Sequence, residues 1–176
     1  MEAVADSSRR SHTLILLDIE YSMPTASTDR IEKQIVLDAP QSRVWRAITD
    51  VQQFNQWFGV SLATPFSAGG TSTGNITSKG YEHFILDLCV ETIEPERLFS
   101  FRWHPNAIEK DVDYSKEPTT LVVFTLEKVK EGTKLTIVES GFDALPESRR
   151  AAALAGNEGG WASQTKRIAN YLSANP

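Results

Sequence analysis

Residues 146–172, PESRRAAALAGNEGGWASQTKRIANYL, decide the fold predicted for this chain. Six residues in this stretch recur at intervals of three and four, the spacing of one face of an α-helix. A single long helix cannot bury such a face alone, so it must pack against the rest of the chain. The six residues are Leu154, Asn157, Trp161, Thr165, Ile168 and Leu172.

The chain before this helix is predicted to be mostly strands, the first of which ends before Pro40. Two short helices follow as far as Gly59, and further strands are predicted at 60–64, 71–78, 81–93, 98–104, 120–129 and 133–142. Consecutive strands joined by short turns form antiparallel sheets. The predicted class is therefore α+β, with two short helices after the first strand. In this class a curved antiparallel sheet of about six to seven strands wraps around one long C-terminal helix.

The length of 176 residues suits one domain, which we assign to residues 30–174. The apolar run at 14–17 is too short for a signal peptide or for a membrane span. Residues 13–19 are rich in β-forming side chains. Residues 1–29 are therefore either a poorly ordered leader or an extra edge strand.

Composition argues against several functional classes. The net charge is −5, and basic residues cluster only as Arg9-Arg10 and Arg149-Arg150, so we expect no nucleic-acid partner. Cys89 is the single cysteine, which excludes a disulfide framework within the chain and favours a reducing, cytoplasmic location. No metal-ligand spacing and no glycine-rich phosphate loop are present. We therefore expect no metal, no cofactor and no membrane contact.

Seven short stretches together resemble one superfamily. They are IVLDAP at 35–40, VWRAITD at 44–50, QWF at 56–58, EPERL at 94–98, FSFRW at 99–103, TKLTIVESGF at 133–142 and GGW at 159–161. This combination resembles the START-like superfamily, also called Bet v 1-like or SRPBCC, whose fold is the helix-grip fold. Within it, the chain is most similar to bacterial domains related to the C-terminal domain of the Hsp90 ATPase activator.

The resemblance implies a cavity between the sheet and the long helix. Members of the superfamily carry apolar ligands, cyclise or dehydrate aromatic polyketides, or act as co-chaperone domains, so the resemblance indicates architecture better than chemistry. The leading hypothesis is a monomeric or homodimeric protein that binds a small apolar or aromatic molecule. The alternatives are a cyclase, hydratase or hydrolase using the same cavity, and a module that regulates a chaperone partner.

Glu139 shares a strand face with Leu135 and Ile137, and a carboxylate on an apolar face is costly unless it is hydrogen-bonded. It either serves a ligand, as an anchor or an acid–base group, or sits solvated or salt-bridged at the strand end. His104 is the second catalytic candidate. By strand alternation it shares the outer, solvated face with Arg102, but it precedes the irregular loop, so it either stays on that face or turns inward at the loop. The predicted ligand-binding residues are Trp57, Phe58, Glu82, Phe84, Leu86, Phe101, Trp103, His104, Tyr114, Ile137, Glu139, Asn157 and Trp161.

Residues 105–118, here called the cavity loop, form a polar stretch that is too long for a tight hairpin. We expect this loop to fold over one mouth of the cavity, with Tyr114 packed toward Trp57 or Phe58; a solvated tip or a dimer contact is the alternative. Gly159-Gly160 weakens a helix, so it should serve a close approach to the sheet or a kink beside the cavity.

Overall fold

The computed structural model describes residues 29–176. In chain order the elements are β1 (Arg30–Leu37), α1 (Gln41–Thr49), α2 (Val51–Phe58), β2 (Val60–Leu62), β3 (Thr71–Ile76), β4 (Ile85–Glu94), β5 (Leu98–Trp103), β6 (Thr120–Val129), β7 (Gly132–Ser140), a short 3-10 helix (Phe142–Ala144) and α3 (Glu147–Ala174). The leader predicted at residues 1–29 lies almost wholly outside the described residues.

The described strands form one antiparallel sheet of seven strands in the order β1-β7-β6-β5-β4-β3-β2. The first strand closes against the last one, Arg30 opposite Ser140, so the two chain-distant ends of the domain pair with each other. This arrangement, with α3 lying across the sheet, confirms the predicted α+β class and the predicted order of elements.

The predicted face of α3 is the one that packs inward. Trp161, Ile168 and Leu172 are buried, whereas the residues between them are half-buried or exposed. They meet the inward side chains of the sheet, among which Phe99, Phe101 and Phe124 are fully buried. Burial of this face against the sheet supplies the apolar contacts that a long helix cannot make alone.

The two short helices meet at Asp50, which separates them by a single residue. The Asp50 side chain accepts a hydrogen bond of 3.0 Å from the backbone N–H of Gln53 and so caps α2. At the other end of α2, Gly59 adopts a left-handed conformation with φ of 85°. Asp50 and Gly59 thus set the two ends of α2, and its last residue, Phe58, lines the cavity described below.

One predicted strand begins later than the sequence indicates. Residues 78–84 form two consecutive turns, in which the backbone N–H of Tyr81 donates to Ser78 O and that of Phe84 donates to Tyr81 O, each at 3.0 Å. Gly80, with φ of 91°, allows the reversal. The strand that we predicted from residue 81 therefore starts at Ile85, and the alternation of its faces does not extend back to Glu82.

Candidate functional site

A cavity of about 730 Å³ opens between α3 and the sheet. Its wall is made by the end of α2, the segment at 83–87, the end of β5, residues 106–115 of the cavity loop, and the middle of α3. This volume lies within the range of about 300–1,000 Å³ that small-molecule sites occupy.

Three aromatic rings form what we call the aromatic floor of the cavity, Phe58, Trp103 and Trp161. The Trp103 and Trp161 ring centroids are 5.5 Å apart, and each lies 6.0 Å from the Phe58 centroid. Aromatic pairs at these separations pack favourably and present a large apolar surface. The floor is therefore suited to contact with an apolar or aromatic body.

Behind this floor lies Glu139, which is fully buried at 0% exposure. Its Oε1 accepts hydrogen bonds from Trp103 Nε1 at 2.7 Å, Thr120 Oγ1 at 2.6 Å and Asn157 Nδ2 at 2.9 Å. Its Oε2 accepts from Trp161 Nε1 at 2.6 Å and from Asn157 Nδ2 at 3.0 Å. All four donors are neutral, and this set of bonds offsets the cost of burying the carboxyl group.

This network explains how the floor is held. Trp103, Asn157 and Trp161 line the cavity, yet their N–H groups point to Glu139 rather than to the cavity. Glu139 itself is not among the residues that line the cavity. Glu139 therefore holds the side chains around it in place. We expected Glu139 either to face a ligand or to be solvated or salt-bridged at the strand end, and the structure shows neither.

The predicted ligand-binding residues divide into two groups. Eight line the cavity, and the other five do not. Of the latter, Trp57, Phe101 and Ile137 belong to the buried core, and the Trp57 indole donates to Ala47 O at 2.8 Å, which ties α2 to α1. The eight cavity-lining residues are Phe58, Phe84, Leu86, Trp103, His104, Tyr114, Asn157 and Trp161.

Glu82 requires a correction. We expected it to face the cavity, but Glu82 is exposed and accepts a hydrogen bond of 2.7 Å from the backbone N–H of Gly80. His83 lines the cavity instead, with its ring centroid 3.9 Å from that of Phe84. The reason is the pair of turns before β4, since the period-two alternation of a strand does not apply to a turn.

His104 and Arg102 lie on different sides of the sheet's end. Arg102 points outward and pairs with Glu91 on β4, as expected for a solvated face. His104 lines the cavity, and its Nε2 lies 3.2 Å from the backbone oxygen of Glu117. That contact joins the histidine to the end of the cavity loop.

Residues 106–115 of the cavity loop line the cavity, and closure of the loop over the cavity mouth stays a prediction. Tyr114 packs differently from our expectation. Tyr114 is 8% exposed, and the Arg149 guanidinium of α3 lies 4.4 Å from its ring centroid, whereas we expected Trp57 or Phe58 as its neighbour. Arg149 also forms a salt bridge of 2.8 Å with Glu117 and donates to Pro105 O at 2.9 Å. One arginine therefore holds both ends of the loop and its central tyrosine.

The glycine pair in α3 does not serve a close approach. A Cβ atom at Gly159 or Gly160 would meet nothing within 4 Å. Gly160 lines the cavity, whereas Gly159 does not. The absence of a side chain at Gly160 thus leaves open space in the cavity wall.

Sequence reasoning did not identify Arg149, Gln164 and Arg167, all of which line or hold the cavity. The available signal was the helical period, because Asn157, Gln164 and Arg167 follow one another at intervals of seven and three residues. Charged residues at such positions are ordinarily solvated, so the period alone did not single them out.

Asp113 of the cavity loop has a pKa below its ordinary value, mainly because the Ser115 side chain donates a hydrogen bond to it. The backbone N–H of Ser115 donates as well, at 2.9 Å. Within residues 29–176 there is no cluster of three or more His, Cys, Asp or Glu side chains placed to hold a metal ion. The same part of the chain has no helix long and apolar enough to cross a membrane.

An antiparallel sheet that closes on a long C-terminal helix over an internal cavity defines the helix-grip class of START-like domains. Residues 38–173 match the family described as Activator of Hsp90 ATPase homolog 1-like protein, and the chain belongs to this family. A comparison with curated proteins finds no match.

Several solved structures share the fold. Protein MLL2253 from Mesorhizobium loti is 23% identical, with a TM-score of 0.66 over 84% of this chain and 98% of that one. Ms6760 from Mycobacterium smegmatis is 20% identical, with a TM-score of 0.67 over 85% of this chain and 94% of that one. DynU16, a protein of the dynemicin biosynthetic locus, is 28% identical, with a TM-score of 0.64 over 82% of this chain and 47% of that one.

Proposed function

We propose that this protein binds a small apolar or aromatic molecule in the cavity between the sheet and α3. The observation that carries the proposal is the aromatic floor of Phe58, Trp103 and Trp161 beneath about 730 Å³ of open space. Ligand sites are concave and mostly apolar, with a few polar groups that fix orientation. The similarity to a protein encoded in a biosynthetic locus also favours a small molecule as the partner.

Exposed apolar side chains near the cavity support the same function. Ile85, Ile108 and Val112 line the cavity and are among the few large apolar residues that are exposed, Ile85 at 66%. Exposed apolar residues gathered around an opening mark binding surfaces more often than isolated ones do. We infer that these side chains form the rim over which an apolar ligand passes.

Binding is favoured over catalysis by the state of the buried acid. Both oxygens of Glu139 accept hydrogen bonds from protein donors, and the side chain stands behind the cavity wall. An acid–base group must reach the proton that it transfers, directly or through one water. Of the two catalytic candidates predicted from the sequence only His104 lines the cavity, so this pair does not face a ligand together.

The test is a fluorescence titration with phenylnaphthylamine, a neutral aromatic probe that brightens in apolar sites. We expect Gly160→Phe to weaken saturable binding of the probe about 10-fold or more, because the new ring occupies open cavity space. Gly159→Phe is the matched control, since it replaces a neighbouring helical glycine that does not line the cavity. Equal affinities in the wild type and both variants would contradict the proposal.

A further inference from the structure

Arg167 places a guanidinium group in the cavity wall beside Gly59. A Cβ atom at Gly59 would lie only 2.6 Å from Arg167 Nη2 and 2.9 Å from Nη1, so the missing side chain of the glycine makes room for this cation. Both residues line the cavity. Gly59 thus supplies the left-handed conformation that ends α2, and its missing side chain leaves room for the guanidinium in this position.

The charge of Arg167 has no acidic partner in the described part of the chain. Within residues 29–176 the salt bridges involve other cations, and none joins a carboxylate to Arg167 within 4.0 Å. The side chain is half-buried, so it is only partly hydrated. A cation in this position gains from an anion that enters the cavity.

A second polar group in the same wall also lacks a partner. Gln164, which precedes Arg167 by about one turn of α3, donates from Nε2 to Phe58 O at 2.9 Å. That bond fixes the amide, and Gln164 Oε1 is buried without a hydrogen-bond donor among the described residues. A buried acceptor left unpaired costs about 1–3 kcal/mol. This buried acceptor does not attract an anion, so the Arg167 guanidinium is the group that makes the wall between α2 and α3 an anion site.

The acidic side chains of the cavity lie elsewhere. Glu109, Asp111 and Asp113 belong to the cavity loop, and Asp87 accepts a hydrogen bond of 2.6 Å from Thr73. All four residues are exposed, so solvent and salt screen their charges. The less exposed Arg167 is therefore the charge that a bound ligand feels most strongly.

We propose that the ligand is an organic acid, with its apolar body on the aromatic floor and its anionic group on Arg167. This inference rests on the proposed function and specifies the chemistry of its ligand. Guanidinium groups bind carboxylates and other oxyanions through two parallel N–H bonds.

The experiment compares two probes that share one aromatic frame. Phenylnaphthylamine is neutral, and anilinonaphthalene sulfonate adds an anionic group to it. Arg167→Met should weaken the sulfonate about 10-fold to 100-fold, the range expected for a charge-assisted hydrogen bond, and change the neutral probe less than about 3-fold. Lys166→Met is the matched control, since it removes the same charge from an exposed neighbour on α3. It should leave both affinities nearly unchanged.

Arg167→Lys keeps the charge without the planar fork, so its affinity for the sulfonate should lie between those of the wild type and Arg167→Met. If Arg167 has only a structural role at the C-terminal end of α2, Arg167→Met weakens the binding of both probes to the same extent, and the inference is overturned. It is also overturned if Arg167→Met and Lys166→Met weaken the sulfonate equally. If the neutral probe binds saturably and Arg167→Met does not change the affinity for the sulfonate, the inference is overturned and the proposed function stands. Failure of both probes to bind refutes the two together.

Discussion

Replacing Glu139 with glutamine should destabilise the domain by about 2–4 kcal/mol. Each carboxylate oxygen receives one indole N–H, from Trp103 at 2.7 Å and from Trp161 at 2.6 Å. An indole N–H only donates, whereas Thr120 can rotate its hydroxyl and Asn157 can exchange its amide ends. Whichever way the new amide is oriented, its NH₂ group therefore faces one indole N–H.

The magnitude follows from these contacts. The unpaired indole N–H costs about 1–3 kcal/mol, and each remaining bond to the neutral oxygen is weaker than a bond to a carboxylate by roughly 1 kcal/mol. The lower cost of burying a neutral group offsets part of this loss. For a domain of this size, the melting temperature should fall by about 5–15 °C.

Chemical denaturation, followed by circular dichroism, measures the free energy of unfolding directly. Glu127→Gln is the matched control, because Glu127 is an exposed strand carboxylate paired with Lys134 at 2.8 Å, and its loss should cost less than about 1 kcal/mol. Glu139→Met removes the acceptor for all four donors and should destabilise more than Glu139→Gln. A Glu139→Gln variant within about 0.5 kcal/mol of the wild type would refute the reasoning.

Two further predictions concern the cavity loop. Arg149→Met should accelerate amide hydrogen exchange in residues 105–118 and destabilise the domain by about 1.5–3 kcal/mol, because it removes the contacts to Glu117, Pro105 and Tyr114. Arg150→Met is the control, and exchange in Arg149→Met that is no faster than in this control would contradict the prediction. Ser115→Ala should raise the pKa of Asp113 toward its ordinary value, as measured by carboxyl NMR titration, because the hydroxyl bond that lowers it is lost. The lowered pKa of Asp113 stabilises the folded state at any pH above the unfolded-state pKa, and this stabilisation is lost as the pH falls through the folded-state pKa. An Asp113 titration that is unchanged in Ser115→Ala would count against the hydrogen bond.

The sequence predicted the architecture well because the fold depends on periodic burial. The face of α3 and the inward aromatic residues of β5 follow from spacings of three to four and of two. The same logic failed at Glu82, where alternating residue types continue through a turn. Alternation reports side-chain type, whereas the start of a strand depends on which backbone groups pair, and Gly80 reverses the chain just before Ile85.

The site was only partly predictable for a related reason. An acidic residue on an apolar strand face drew attention to Glu139, but its donors come from distant parts of the chain, with Trp103 separated from it by 36 residues. The helical period was a weak signal for Arg167, because an arginine on a helix is usually solvated. Its position beside Gly59 follows from the packing of α2 on α3, which no local pattern describes.

The position of Glu139 also constrains the order in which the domain can fold. Two of its donors, Asn157 and Trp161, belong to α3, the last element of the domain to leave the ribosome. Until this helix docks, Oε1 can accept from Trp103 and Thr120 of the sheet, whereas Oε2 has only water as a donor. Docking therefore dehydrates Glu139 and supplies its replacement donors in one event, so a nascent chain that ends before α3 cannot close this part of its core.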